Sequence, residues 1–376
     1  MDFELSEEEA LIRETARDYA ARELLPRAAE IERREEIPRD VIRGLGALGL
    51  LGVRAPEELG GAGASTVGYS VALSEIAAAC ASTAVAMAVT NMVGEVIARF
   101  GTAAQRKQHV PRLCRGDLGS FALSEPDAGS DPGAMRTTAR RDGDGWVLDG
   151  SKQWITSGDT ATSVVVWART SGTGTRGITC FLLDGDTPGM KSVRHEDKMG
   201  LRGSHTVSLS LDGCRVRQDQ VLGQLDGGFK IAMMALDGGR IGIASQAVGI
   251  GRAALDEAIT YAKDRKQFGE AIASFQAIQW MIADGETELA AARALTLRAA
   301  WLKDRDVAFS REAAMAKLFA SEAAWRICNQ AVQIHGGYGY TREFAAERHL
   351  RDVRVAQIYE GTSEIQRLVI ARTLLK

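Results

Sequence analysis

Apolar residues recur with a helical period at the start of the chain, switch to a strand period in the middle, and return to the helical period at the end. Ser6 and Glu9 have the spacing of a capping box, and Leu11, Ile12, Thr15, Ala16 and Tyr19 then follow one face, which predicts an amphipathic first helix. Pro38 suits a first helical turn, and Val41, Leu45 and Leu48 extend a second stripe. Helical patterns continue through Phe100 to about Leu113, broken by a loop over 56–63. From about Gly119 the signal changes. Short apolar runs at 146–148, 164–167 and 178–183 lie between Gly, Asp and Ser turns, and Val207, Leu209 and Leu211 alternate with Thr206, Ser208 and Ser210. These are strands, the last with one buried face. After Gly228 the helical period returns, with Val248, Leu255, Ile259 and Ala262 on one face and Ile365, Leu368 and Leu375 on another. The expected class is α+β, with a helical domain at 1–118, a β domain at 119–222 and a helical bundle at 223–376.

A chain of 376 residues, 45% of them apolar, is long enough for two or three packed units. A net charge of −3 gives no basic surface for nucleic acid. The five cysteines, Cys80, Cys114, Cys180, Cys214 and Cys328, are scattered and form no C-x-x-C pair, so they read as reduced and non-ligating, and no metal is expected. The acidic start, Met1-Asp2-Phe3-Glu4-Leu5, carries no export signature. The Ala- and Val-rich stretch at 77–89 falls short of the roughly 20 apolar residues of a membrane span, so a cytoplasmic protein is expected.

One motif is a decoy. Gly44-Leu45-Gly46-Ala47-Leu48-Gly49 spells G-x-G-x-x-G, but the charged, helix-like stretch 33–43 precedes it where a dinucleotide fold needs a strand. Helix packing and a helix end are the plainer account.

Five other motifs occur in order across most of the chain: the run 121–131 (FALSEPDAGSD), Trp154-Ile155-Thr156-Ser157, Asp264-Arg265-Lys266-Gln267-Phe268-Gly269, Gln333-Ile334-His335-Gly336-Gly337, and the run 358–366 (IYEGTSEIQ). Each alone could be a surface loop or a helix end. Together, on an α, β, α layout, they resemble the acyl-CoA dehydrogenase family. The runs 236–246 and 313–318 are most similar to its short-chain, butyryl-CoA type members.

The resemblance implies an N-terminal all-α domain, a middle β-barrel or sandwich and a C-terminal four-helix bundle, with FAD as cofactor. It places Phe121, Leu123 and Ser124 along the flavin, and Gly129 and Ser130 by the diphosphate and pantetheine. Trp154, with Ile155, lies against the ring system, and Thr156 near N5. Arg265, Phe268 and Gln276, with Gln333, Ile334, Gly336 and Gly337, reach the ADP part from a neighbouring subunit, which requires at least a dimer and implies a tetramer. Thr362, Ser363 and Glu364 complete the cofactor set. In isolation, Trp154 and Phe268 would read as core aromatics and Gly336-Gly337 as a helix-ending turn.

The chemistry that follows is flavin-dependent α,β-dehydrogenation in fatty acid metabolism. A base on one face of an acyl thioester removes the α-proton, and a hydride acceptor lies on the other. By similarity Glu360 is the base, and its backbone N–H stabilises the thioester oxygen. Some relatives carry the base just before the arginine of the motif that reads Asp237-Gly238-Gly239-Arg240 here, and Gly239 leaves that place vacant. Asp237, Arg240, Gly361 and Ser130 are the substrate candidates, although Asp237 and Arg240 also have the spacing of an ordinary helix-surface pair. The implied substrate is a short acyl-CoA, straight or branched, and the implied electron acceptor an electron-transfer flavoprotein. Two other readings stay open: the same chemistry on an unusual acyl group of a specialised pathway, and a flavin- or nucleic-acid-binding relative without catalysis.

Overall fold

The computed structural model describes residues 4–375. The chain enters through α1 (Glu7–Tyr19), whose capping box is present: the Ser6 hydroxyl accepts from the Glu9 N–H at 3.2 Å and Glu9 accepts from the Ser6 N–H at 3.0 Å. Then come α2 (Ala28–Arg34), α3 (Arg39–Ala47), α4 (Thr66–Ala79), α5 (Ala81–Phe100) and α6 (Ala103–Cys114). Pro38 stands just before α3 rather than in its first turn, because its backbone is extended, with ψ 142°. Gly44 and Gly46 lie inside α3, where a Cβ would come within 2.9 Å of the Tyr19 ring or 2.8 Å of the Arg115 carbonyl oxygen. The apparent dinucleotide motif is therefore a close helix contact.

Contrary to the expectation from 77–89, α5 has the length and apolarity of a membrane span. Its surroundings explain why: α4, α7 (Gly228–Asp264) and β1 (Gly119–Ala122) cover it, and almost all of its side chains are buried inside the protein. Its polar residues bond internally, Asn91 to the Leu50 and Met87 carbonyls at 2.9 Å each.

Seven further strands follow β1: β2 (Thr138–Asp142), β3 (Gly145–Thr156), β4 (Ser163–Arg169), β5 (Ile178–Asp184), β6 (Met190–His195), β7 (Thr206–Arg217) and β8 (Val221–Leu222). They form one sheet in the order β6-β7-β3-β2-β4-β5-β8, with β1 parallel to β4. Two-sided burial explains the unbroken apolar run of β4: Val164 and Val166 face the core of the β region, while Val165 and Trp167 face the helices. The Trp167 indole donates to the Gly228 carbonyl at 2.8 Å, joining the sheet to the start of α7.

After α7, a two-residue hairpin of β9 (Lys266–Gln267) and β10 (Glu270–Ala271) leads to α8 (Gln276–Asp304), α9 (Ser310–His335), α10 (Ala346–Val353) and α11 (Ser363–Leu374). The predicted face of α7 is largely buried, with Val248, Leu255 and Ala262 in the core. The stripe on the last helix is not: Leu368 and Leu375 are exposed, because α11 packs only one side against α9. All five cysteines are free and buried.

The contact of α4 with α7 sets the position of the helices that frame the site. A Cβ on Gly249 would overlap the Ser74 carbonyl and lie 2.8 Å from the Ala77 Cβ. Gly249→Ala is expected to destabilise the protein by roughly 1–3 kcal/mol, as overpacking of backbone against backbone does. Denaturant unfolding beside the wild type measures it, and an unchanged midpoint would show that the two helices can separate without cost.

Candidate active site

The turn between α10 and α11 holds Glu360 in the left-handed region at φ 51°, followed by Gly361 at φ 92°. A non-glycine residue there carries roughly 1–3 kcal/mol of strain, which persists only where neighbours over-determine it. Those neighbours are present. The Gln366 amide donates to the Gly361 carbonyl at 2.8 Å and the Glu360 carbonyl at 3.3 Å, and the Lys317 ammonium donates to the Gly361 carbonyl at 2.6 Å. Thr362 caps α11 by accepting from the Ile365 N–H, and the Tyr359 hydroxyl bonds Gln246 on α7.

This clamp turns the Glu360 side chain towards α7, where it occupies the space a side chain on Gly239 would need. Although the residue as a whole is half-buried, its Oε2 is sealed from solvent and has no hydrogen-bond partner. Burial pushes its pKa up to about 7, and the charges of Lys317 and Arg240 only partly offset that rise. Burial in turn lowers Lys317 to about 8, against the pull of Glu360. Arg240 is buried and paired with Asp237, which also accepts from the Ser310 hydroxyl. This buried pair differs from a surface pair of the same spacing. Gly238 and Gly239 also line a narrow cavity of about 20 Å³, together with Tyr69, Met92 and Ala235.

A second group of predicted residues sits on the β region. The ladder between β3 and β7 shifts register between Lys152 and Ile155, and within this bulge Trp154 takes φ 63° and leaves its indole 60% exposed. This is unlike the core aromatic that Trp154 would be in isolation. Ile155 turns its side chain into the β core. The Thr156 carbonyl accepts from Ser120 at 2.7 Å. Phe121 packs against Trp167 with ring centres 4.4 Å apart, Leu123 is buried, and the Ser124 carbonyl accepts from the Gln153 N–H at 2.9 Å. Under this strand end lies a buried ion pair, Lys152 to Glu125 at 2.8 Å, with Lys152 also donating to the Leu123 carbonyl at 3.2 Å. Gly129 and Ser130 are exposed in the following loop.

The third group lies on the helical region. Phe268 and Gly269, with φ 55° and 90°, form the tip of the β9–β10 hairpin, as a type I′ turn requires. The Phe268 ring is 95% exposed, again unlike a core aromatic. Arg265 lies over the Tyr338 ring at 5.6 Å and shares an open depression with Ile334, Gly336 and Gly337. Nothing lies within 4 Å of a Cβ on either glycine. Gln276 and Gln333 are exposed on α8 and α9, Ser363 is buried with an unpartnered hydroxyl, and Glu364 is exposed in the first turn of α11.

Several contributors carry no role that the sequence shows: Lys317 in the clamp, Tyr69 in the cavity wall and Lys152 under the Ser124 strand end meet groups far along the chain, and Gln366, although its partners lie only five and six residues away, carries no local mark of its place in the clamp. Asp159, His195 and His205 also converge, with the His205 Nδ1 2.7 Å from Asp159. The hydrogen bond with Asp159 raises the His205 pKa against the effect of burial.

Family models match nearly the whole chain: "Acyl-CoA dehydrogenase, N-terminal domain" over 6–117, "middle domain" over 120–214 and "C-terminal domain" over 226–375. The mitochondrial short-chain specific acyl-CoA dehydrogenase of Bos taurus is 51% identical over 377 residues, 99% of this chain and 91% of the relative. The structure of butyryl-CoA dehydrogenase from Megasphaera elsdenii superposes with a TM-score of 0.98 at 39% identity and covers both chains completely. A chain solved in work on the electron transferring flavoprotein of Acidaminococcus fermentans does the same at 41% identity, with a TM-score of 0.98.

The raised pKa of Glu360 has a consequence for stability. Its pKa lies above the unfolded value of 4.5, so its contribution is fully present below about pH 4.5 and is lost as pH rises through about 7. Across that window the wild type is expected to lose stability relative to Glu360→Gln, by up to roughly 3 kcal/mol. Unfolding midpoints of both proteins at pH 4.5, 6 and 8 measure the difference. Parallel profiles would place the carboxylate in contact with water.

Proposed function

The chain belongs to the acyl-CoA dehydrogenase family, and from that premise we propose that it removes hydrogen from Cα and Cβ of a short acyl-CoA, straight or branched, to give the trans-2-enoyl thioester, with Glu360 as the base. Members are flavin oxidoreductases, and FAD, when bound, supplies the acceptor for the β-hydrogen as hydride. The observation that carries the reading is the Glu360 carboxylate, whose Oε2 is sealed from solvent, unpartnered and facing a gap on α7 that lacks side chains.

The residues present fit FAD. Trp154 offers an exposed indole on a bulge, the Ser124 and Thr156 backbones lie nearby in the same region, and Arg265 with the open Gly336-Gly337 backbone suits a diphosphate. The Arg265 group belongs to the helical region and the Trp154 group to the β region, which supports sharing of each cofactor between subunits of a dimer or tetramer. The exposed Phe268, Tyr340 and Leu368 are apolar surface for such contacts. We assign electron transfer to an electron-transfer flavoprotein, and domain limits at 118/119 and 222/223, where helix gives way to strand and strand to helix.

Glu360 acts from its deprotonated form. A pKa near 7 leaves it a substantially stronger base than a solvated glutamate while still ionised in useful amount at neutral pH. Lys317 and Arg240 keep the charged form accessible without hydrogen-bonding Oε2, so the oxygen stays free to receive the α-proton. No hydrogen bond engages the Glu360 N–H among the described residues, which leaves it available to the thioester oxygen as negative charge grows there.

Glu360→Gln keeps the size of the side chain and removes the basic oxygen. The variant is expected to retain FAD and thioester binding while flavin reduction by butyryl-CoA slows about 10²–10⁴-fold in anaerobic single turnover. Rapid reduction would place the base elsewhere. Because Gly239 faces the same carboxylate, Glu360→Gly combined with Gly239→Glu is expected to recover part of the activity that Glu360→Gly loses. Recovery stays incomplete, since the moved carboxylate lacks the clamp of Lys317 and Gln366. A double variant that binds FAD and thioester yet reduces flavin no faster than Glu360→Gly would show that position 239 does not reach the α-carbon.

A further inference from the structure

The cavity beside Gly238 and Gly239 ends in charge rather than in hydrocarbon. Arg54, Glu95 and Lys303 line it together with Thr66. Arg54 donates to Glu95 at 2.8 Å and the Lys303 ammonium donates to Glu95 at 2.9 Å, so two cations share one carboxylate. Nearby polar groups are otherwise engaged. Asp304 accepts from the Thr66 and Val67 N–H groups at 2.7 and 3.1 Å, and Asn91 is filled by Val53, Leu50 and Met87. Two buried atoms on this wall remain without partners, Arg54 Nε and Thr66 Oγ1. A hydrocarbon end pressed against them would leave both unsatisfied, whereas an anionic oxygen could accept from both and balance the second cation.

The location limits what can reach this wall. Lys303 Nζ lies 2.6 Å from where a Cβ on Gly238 would stand, and the Glu360 carboxylate occupies the Cβ position of the next residue, Gly239. With neighbouring Cα atoms about 3.8 Å apart, base and ammonium are separated by at most roughly 11 Å. That limits an acyl group held by Glu360 at its α-carbon and by Lys303 at its far end to about five carbons.

We propose that Arg54, Lys303 and Thr66 form a subsite for a carboxylate at the far end of the acyl chain, so that the preferred thioesters are CoA half-esters of four- or five-carbon dicarboxylic acids. The proposal rests on Glu360 marking the α-carbon. It differs from the general reading in requiring a charged acyl end, and it uses side chains from the loop before α4, from the start of α4 and from the end of α8.

The test uses the FAD-loaded protein and pairs of equal carbon count: succinyl-CoA with butyryl-CoA, and glutaryl-CoA with pentanoyl-CoA. Perturbation of the oxidised flavin spectrum reports binding, and anaerobic bleaching reports dehydrogenation. In at least one pair the carboxylated thioester is expected to bind tenfold or more tightly than its neutral partner. Arg54→Met should shrink that ratio at least tenfold, and Arg54→Lys should restore part of it. Equal or tighter binding of the neutral thioesters in both pairs overturns the subsite, as does an unchanged ratio in a folded Arg54→Met variant. If Arg54→Met does not fold, the wild-type ratios alone decide. Tight binding of a carboxylated thioester with no bleaching by any of the four would support the subsite and remove the dehydrogenase reading. Bleaching by butyryl-CoA with no advantage for a carboxylate would do the reverse.

Discussion

The site depends on one costly arrangement: a carboxylate buried against a helix with no hydrogen bond to its inner oxygen. Removing a charged group from water is expensive, and the ordinary outcome is neutralisation through a raised pKa. Glu360 shows that outcome in part, since Lys317 and Arg240 oppose burial from a distance without touching Oε2. A direct salt bridge would have stabilised the charge and abolished its basicity. The surrounding bonds therefore go to the backbone: Gln366 and Lys317 hold the Glu360 and Gly361 carbonyls, and the strained φ of Glu360 is fixed by contacts that leave its side chain free.

That arrangement requires two kinds of close approach elsewhere. Gly239 has to lack a side chain for Glu360 to fit, and Gly249, three turns further along α7, has to lack one for α4 to lie against the same helix. Tyr69 on α4 is thereby brought to the cavity wall, and Tyr359 reaches Gln246 on α7. Each internal glycine costs a helix roughly 1 kcal/mol relative to alanine. In α7 the loss is offset by the packing of α4, α8 and α9 around it, so the longest helix tolerates the residues that give the site its space.

What the sequence disclosed follows the same division. Local signals were readable: the capping box at Ser6, the helical period of α7, the alternation of β7, and the motif around Glu360. Periodicity identified the α, β, α order because each element's buried face is written within a few residues. It misjudged α11, whose apolar stripe is open in a single chain, while α5 carries the apolarity of a membrane span only because it lies in the protein interior. Trp154 and Phe268 show why composition is insufficient: both sit at positive φ, in a bulge and in a hairpin tip, and those backbone conformations turn the rings outward. The Lys317 arm of the clamp and the Arg54–Glu95–Lys303 cluster were not legible, since no local pattern announces that residues tens to hundreds of positions apart will meet; Gln366 lies within the run 358–366, but nothing there marks its amide as the group that holds the turn.

The pair of glycines at 238 and 239 joins the two halves of the argument. Gly239 makes room for the Glu360 carboxylate and Gly238 faces the Lys303 ammonium, so a single step along α7 separates the two groups. A longer side chain at either place would close the path between them. On the proposed reading, the same absence of side chains that admits Glu360 exposes the acyl end to Lys303 and Arg54. A purely apolar substrate would gain nothing from those cations and would leave Arg54 Nε and Thr66 Oγ1 buried without partners. Burial is thus used twice along one stretch of α7. At one end it weakens the acidity of the Glu360 carboxyl, and at the other it leaves Arg54 Nε and Thr66 Oγ1 without partners, which on the proposed reading an oxygen of the acyl chain supplies.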